Sequence, residues 1–111
     1  MKAIDFELFS DEHIHYPSEE LLEYLRTVNY TNSKDFINIV NIIRNVWWPS
    51  FYSDKLPITK KEDHYEIIFI TSGWSGNEDI IEAIMYSTSF QLLMLSYTYE
   101  RGGKYIIRIP L

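Results

Sequence analysis

The chain has 111 residues, a formal net charge of −6 and no cysteine, which bounds it to one domain, residues 1–111, that folds without disulfides or thiolate zinc sites. It has no run of about 18 apolar residues and no basic segment leading into an apolar one, so neither a membrane span nor a signal peptide is expected, and the reading is cytoplasmic. Residues 1–23 hold seven acidic residues against Lys2, so a face for direct nucleic-acid binding is lacking and a protein partner with a basic surface is the better match.

In chain order, Ala3 to Phe9 alternates, with Ile4, Phe6 and Leu8 on one side, and predicts an edge strand. Ser10 to Tyr16 is a polar connection holding Asp11, Glu12, His13 and His15. Two histidines two residues apart could share a metal on an extended segment, but a third ligand is missing and no metal site is assigned. Pro17-Ser18-Glu19-Glu20 marks a helix start, with Pro in the first turn and acids near the positive end of the dipole. Leu21, Leu22, Leu25 and Val28 then recur at helical spacing up to about Asn29. A second helix from Ser33 carries the stripe Phe36, Ile39, Val40, Ile43, Val46 and Trp47 and is expected to end at Pro49 as the main cover of the sheet. Ser50 to Asp63 reads as a loop.

The stretch from Tyr65 to Ile84 is the organising element: an apolar strand at Ile67–Ile70, a Gly-containing turn, then a helix. Gly73 and Gly76 are expected to take backbone angles closed to other residues. Ser75 and Glu78 have the spacing of a capping box, with each side chain bonding a free amide of the first turn. Phe90 to Tyr99 reads as a further strand, Gly102-Gly103 as a two-residue hairpin turn and Lys104 to Ile109 as the last strand. That turn would set Tyr97 opposite Arg108 and Tyr99 opposite Ile106. The result is an α+β fold, order β-α-α-β-α-β-β, with a single mixed sheet of about four strands under a helical layer. The helical crossover from the central strand favours a parallel relation to its successor.

Gly73-Trp74-Ser75-Gly76-Asn77-Glu78, followed by Ile80-Ile81-Glu82-Ala83-Ile84 and Arg101-Gly102-Gly103-Lys104-Tyr105, resembles a family of small uncharacterised proteins of bacterial and phage genomes. The family pattern has Gly where this chain has Ser72 and a basic residue where it has Glu100. The resemblance covers about 45 residues from Tyr65 onward. It implies a phage or mobile-element accessory protein and supplies no catalytic residues.

The chemistry-bearing residues point away from catalysis. Gly73-Trp74-Ser75-Gly76 fits the start of a nucleophile elbow, but that pattern needs Gly where Asn77 stands. No paired carboxylates, Cys/His pair or dinucleotide fingerprint occurs, so no enzyme activity and no cofactor are expected. Aromatic residues make up 16% of the chain. Tyr97, Tyr99 and Arg108 on the hairpin are the candidate partner-binding residues, with Asp11 and Glu12 steering a basic partner. The expected function is a non-enzymatic, acidic protein-binding module, such as an inhibitor of a host nucleic-acid-handling or defence protein, or a toxin's immunity partner. The hairpin could equally serve self-association. The alternative is a small-ligand or nucleotide-derivative binder using Gly73, Trp74, Ser75, Gly76 and Asn77 as an anion-accepting turn.

Overall fold

Side-chain caps start the first two helices where the sequence offers them. In the computed structural model, which describes residues 10–11, 16–47 and 56–111, α1 (Glu19–Thr27) begins with Ser18 Oγ accepting the Leu21 amide at 3.1 Å. Pro17 precedes that cap instead of lying in the first turn. It belongs to a two-residue strand, β2 (Tyr16–Pro17), paired antiparallel with β1 (Ser10–Asp11). α2 (Ser33–Ile43) begins with Asn32 Oδ1 accepting the Asp35 amide at 3.0 Å. Phe36, Ile39, Val40 and Ile43 form its buried stripe. The regular helix stops at Ile43, short of Pro49, yet a turn keeps Val46 and Trp47 in the core. The Trp47 indole donates to the Ile70 carbonyl at 3.2 Å, which ties this turn to the sheet. The strand expected over Ala3–Phe9, and residues Glu12, His13, His15 and Pro49, lie outside the described residues.

The remaining elements are β3 (Ile58–Lys60), β4 (His64–Ile70), α3 (Ser75–Tyr86), α4 (Thr88–Leu93), β5 (Ser96–Glu100) and β6 (Lys104–Pro110). They confirm an α+β fold with one four-stranded sheet under a helical layer, in the order β3-β4-β6-β5. Two local expectations change. β3 falls inside the stretch read as a loop, where three residues after Pro57 give too little alternation to detect. Phe90 to Leu95 is not strand: Ser87 Oγ accepts the Phe90 amide at 3.2 Å and starts α4, which buries Phe90.

The sheet is antiparallel throughout rather than mixed. β4 and β5 do run the same way, as the helical crossover between them favours, because both are antiparallel to β6. The hairpin returns β6 into the slot between them, so no parallel ladder forms. One face carries Ile67 and Phe69 of β4 with Ile107 and Ile109 of β6, all fully buried under the helices. Phe36 of α2 meets Phe90 at a ring separation of 4.7 Å and Phe69 at 6.4 Å, so both covering helices and the sheet share one core. α1 packs against α3. The other sheet face carries half-buried Ile68 and Ile106 among His64, Glu66, Thr98, Lys104 and Arg108.

The turn between β4 and α3 departs from its expected chemistry. The Trp74 amide donates to the Thr71 carbonyl at 2.9 Å, and the two central residues, Ser72 (φ +53°) and Gly73 (φ +74°), are both left-handed. The special backbone position is therefore Ser72 with Gly73, not Gly76, which is an ordinary buried residue of α3. There is no capping box. Trp74 is the cap residue and its carbonyl accepts the Glu78 amide at 3.0 Å, so Ser75 is already the first helical residue and is exposed. Asn77 is buried, and its amide donates to the Thr71 carbonyl at 3.4 Å, fastening the helix start to the strand end.

Candidate partner-binding surface

The hairpin geometry decides which side chains can act together. The loop between β5 and β6 holds three residues, Arg101, Gly102 and Gly103, closed by the pair Glu100 and Lys104, whose charged ends are 3.6 Å apart. Gly103 (φ +82°) seats the loop against β4: its carbonyl accepts the Thr71 amide at 2.9 Å. A Cβ there would stand 2.2 Å from Thr71 Oγ1. That close approach admits only Gly, and it sets the register one residue away from the two-residue-turn expectation.

A one-residue slip moves every side chain to the other face. Tyr97 lies opposite Ile107 and Tyr99 opposite Tyr105, so both tyrosines stand on the helix side of the sheet. Arg108 lies opposite Ser96 on the far side. The expected cluster of Tyr97, Tyr99 and Arg108 on one face, with Arg108 stacked on Tyr97, does not form. Arg108 instead donates to Thr98 Oγ1 at 2.9 Å and lies 3.8 Å from Glu66. Glu66 is also 3.2 Å from His64, whose other ring nitrogen meets Asp63 at 2.5 Å. The hydrogen bond to Asp63, then that to Glu66, raises the His64 pKa above its ordinary value. Arg108 is thus part of a charged chain across the sheet's far face.

Tyr97 and Tyr99 remain open, at 51% and 55% exposure. A groove of about 340 Å³ runs between α3 and the hairpin, lined by Glu78, Ile81, Glu82, Met85, Tyr97 and Tyr105. The four α3 residues follow i, i+3, i+4, i+7 spacing, so one helical face forms the whole wall. Tyr99 and Tyr105 are in ring contact at 4.9 Å. Partial burial first, then Tyr99, Glu78 and Tyr97, pushes the Tyr105 phenol above its usual range. No Lys or Arg among the described residues pairs with Glu78 or Glu82. The arrangement offers aromatic faces beside two carboxylates, which is chemistry suited to a cation.

Glu78, Glu82, Met85 and Tyr105 were not anticipated as site residues. The i, i+3, i+4, i+7 wall was visible in the sequence, but only the hairpin register shows that it faces Tyr97. Of the five turn residues in the ligand-binding alternative, only Gly73 lines the neighbouring hollow, with Thr71, Ser72, Glu78, Tyr99, Gly102 and Gly103. Trp74 is half-buried, Ser75 is exposed, and Gly76 and Asn77 are buried in α3. The Glu78 carboxylate beside that hollow opposes a phosphate. Asp11 lies in β1 opposite Tyr16, and Glu12 is outside the described residues. No helix among the described residues is long and apolar enough to cross a membrane. Comparison with family models, with curated proteins and with solved structures finds no match to this chain.

Proposed function

We propose that this chain is a non-enzymatic, acidic protein-binding module whose contact surface is the segment from Tyr86 to Glu100 together with the acidic wall of α3. The observation that carries this reading is the concentration of exposed large apolar side chains. Of the six among the described residues, Tyr86, Leu92, Leu95, Tyr97 and Tyr99 fall within residues 86–99, and only Leu111 lies elsewhere. Scattered single apolar residues need no explanation, whereas a contiguous exposed patch marks a contact surface, and the concentration within one segment supports such a patch here. Glu78 and Glu82 beside that segment suit a partner with a basic surface, and mutual attraction would raise the association rate most at low salt. An accessory role in a phage or mobile element, which the family resemblance implies, would make that partner a nucleic-acid-handling or defence protein, or a toxin.

The test is site-resolved cross-linking in the native host. A photoreactive phenylalanine analogue at Tyr99 is compared with one at Glu23, an exposed α1 position. The expected result is a discrete adduct from position 99 with a protein bearing a basic surface, and none from position 23. Equal labelling at the two positions, or none at either, overturns the reading.

A further inference from the structure

The two edges of the sheet are built differently. β3 has three residues, is preceded by Pro57 and ends in Lys60 followed by Lys61. Proline, lysine and short length are the means by which edge strands are kept from pairing with another chain. β5 has none of these. It is Ser-Tyr-Thr-Tyr-Glu, five residues long, all exposed, and among the described residues it has a neighbour on one side alone. Its helix-side face borders the groove lined by Glu78, Glu82, Tyr97 and Tyr105.

We propose that β5 is an acceptor edge for strand addition: an extended, Lys- or Arg-bearing segment of a partner protein pairs with it as a fifth strand. A cationic side chain of that segment enters the groove between Tyr97, Tyr105 and the carboxylates of Glu78 and Glu82. This rests on the protein-binding reading above and specifies its mode. Strand addition divides the work in a known way, with main-chain hydrogen bonds giving affinity and pockets for alternate side chains giving specificity. Two carboxylates with no pairing Lys or Arg among the described residues, beside π faces, supply the specificity here. A second copy of this chain is a poorer occupant. Its β5 is Ser-Tyr-Thr-Tyr-Glu and has no Lys or Arg to place in the groove, and it would bring a second acidic wall towards the first.

The probe is a capped alternating peptide, acetyl-Thr-Arg-Val-Arg-Val-Arg-Thr-amide, titrated into the full chain and followed by backbone amide resonances. The expected result is saturable shifts centred on Tyr97, Thr98 and Tyr99, with increased hydrogen-exchange protection of β5 amides. Replacing arginine by citrulline, or methylating alternate peptide nitrogens on the pairing edge, should each weaken binding about tenfold. Glu82→Gln in the protein, at an exposed position, should weaken the arginine peptide and leave the citrulline peptide unchanged. Absence of binding at millimolar peptide overturns the proposal, as does binding indifferent to backbone methylation. It also fails if β5 amides gain protection with protein concentration alone, since the occupant would then be a second copy. Should the Tyr99 cross-link succeed while the peptide fails, the binding-module reading stands and strand addition falls.

Discussion

Gly103 is where the hairpin register is decided, and it offers the sharpest test of the fold. In Gly103→Ala two costs combine. A side chain at φ +82° is strained by ~1–2 kcal/mol. The new Cβ also meets Thr71 Oγ1 at 2.2 Å, and Thr71 is fully buried on the strand end, so something must shift. Overpacking of that kind typically adds ~1–3 kcal/mol, for a total of ~2–5 kcal/mol. Gly102→Ala is the internal control, since its φ is +98° but a Cβ there has nothing within 4 Å. It should lose only the backbone share, ~1–2 kcal/mol. The clash is isolated by adding Thr71→Ala, which removes Oγ1 and leaves the Thr71 Cβ at an ordinary 3.5 Å. Urea unfolding of the four members of the Thr71/Gly103 cycle should then show the double variant recovering ~1–2 kcal/mol relative to additivity. Strict additivity, or Gly102→Ala as costly as Gly103→Ala, would refute the close approach and with it the argument for register.

Ser72→Gly should raise stability by ~0.5–1 kcal/mol, read as a higher Tm, because φ +53° strains a serine more than the unfolded-state entropy of glycine costs. Ser75→Ala should be nearly silent, whereas Ser87→Ala should cost ~0.5–2 kcal/mol in urea unfolding, since Ser87 Oγ and not Ser75 Oγ caps a helix. For His64, protonation is the form that lets both ring nitrogens donate to Asp63 and Glu66, so its folded pKa lies above the unfolded 6.5. Its contribution to stability is fully present below pH 6.5 and disappears as pH rises through the higher folded value. An imidazole NMR titration should give that raised value, and Asp63→Asn should lower it; an unchanged midpoint in the variant would count against the bonded geometry.

Periodicity carried much of this protein. The Leu21-Leu22-Leu25 and Phe36-Ile39-Val40-Ile43 stripes, the Ile67–Ile70 strand and the helix after Gly73 are local patterns whose burial follows from spacing alone. Composition was also enough to read an acidic chain, with a formal net charge of −6. What misled was local competition at element ends. Ser87 is a cap signal and Phe90-Gln91-Leu92-Leu93 after it holds no β-branched residue, so the start of the stretch read as strand lies inside a helix. At Ser75 the capping spacing is present, but the Thr71–Trp74 turn starts the helix one residue earlier and leaves the serine without that task.

The candidate surface depended on facts of another kind. Both turn lengths offered by Arg101-Gly102-Gly103 are sterically sound in isolation, and they differ in sending Tyr97 and Arg108 to the same face or to opposite faces. The choice is made by Thr71, more than 30 residues away in the chain, through a contact that only a glycine tolerates. Likewise Glu78, Glu82 and Met85 have the spacing of one helical face in the sequence, but that face meets Tyr97 and Tyr105 only after β6 has slotted between β4 and β5. Residue spacing thus determined the two leading helices, the central strand and the faces they bury. Long-range contact decided the strand order, the register and the groove, because side-chain alternation has a period of two and cannot by itself say where the count begins.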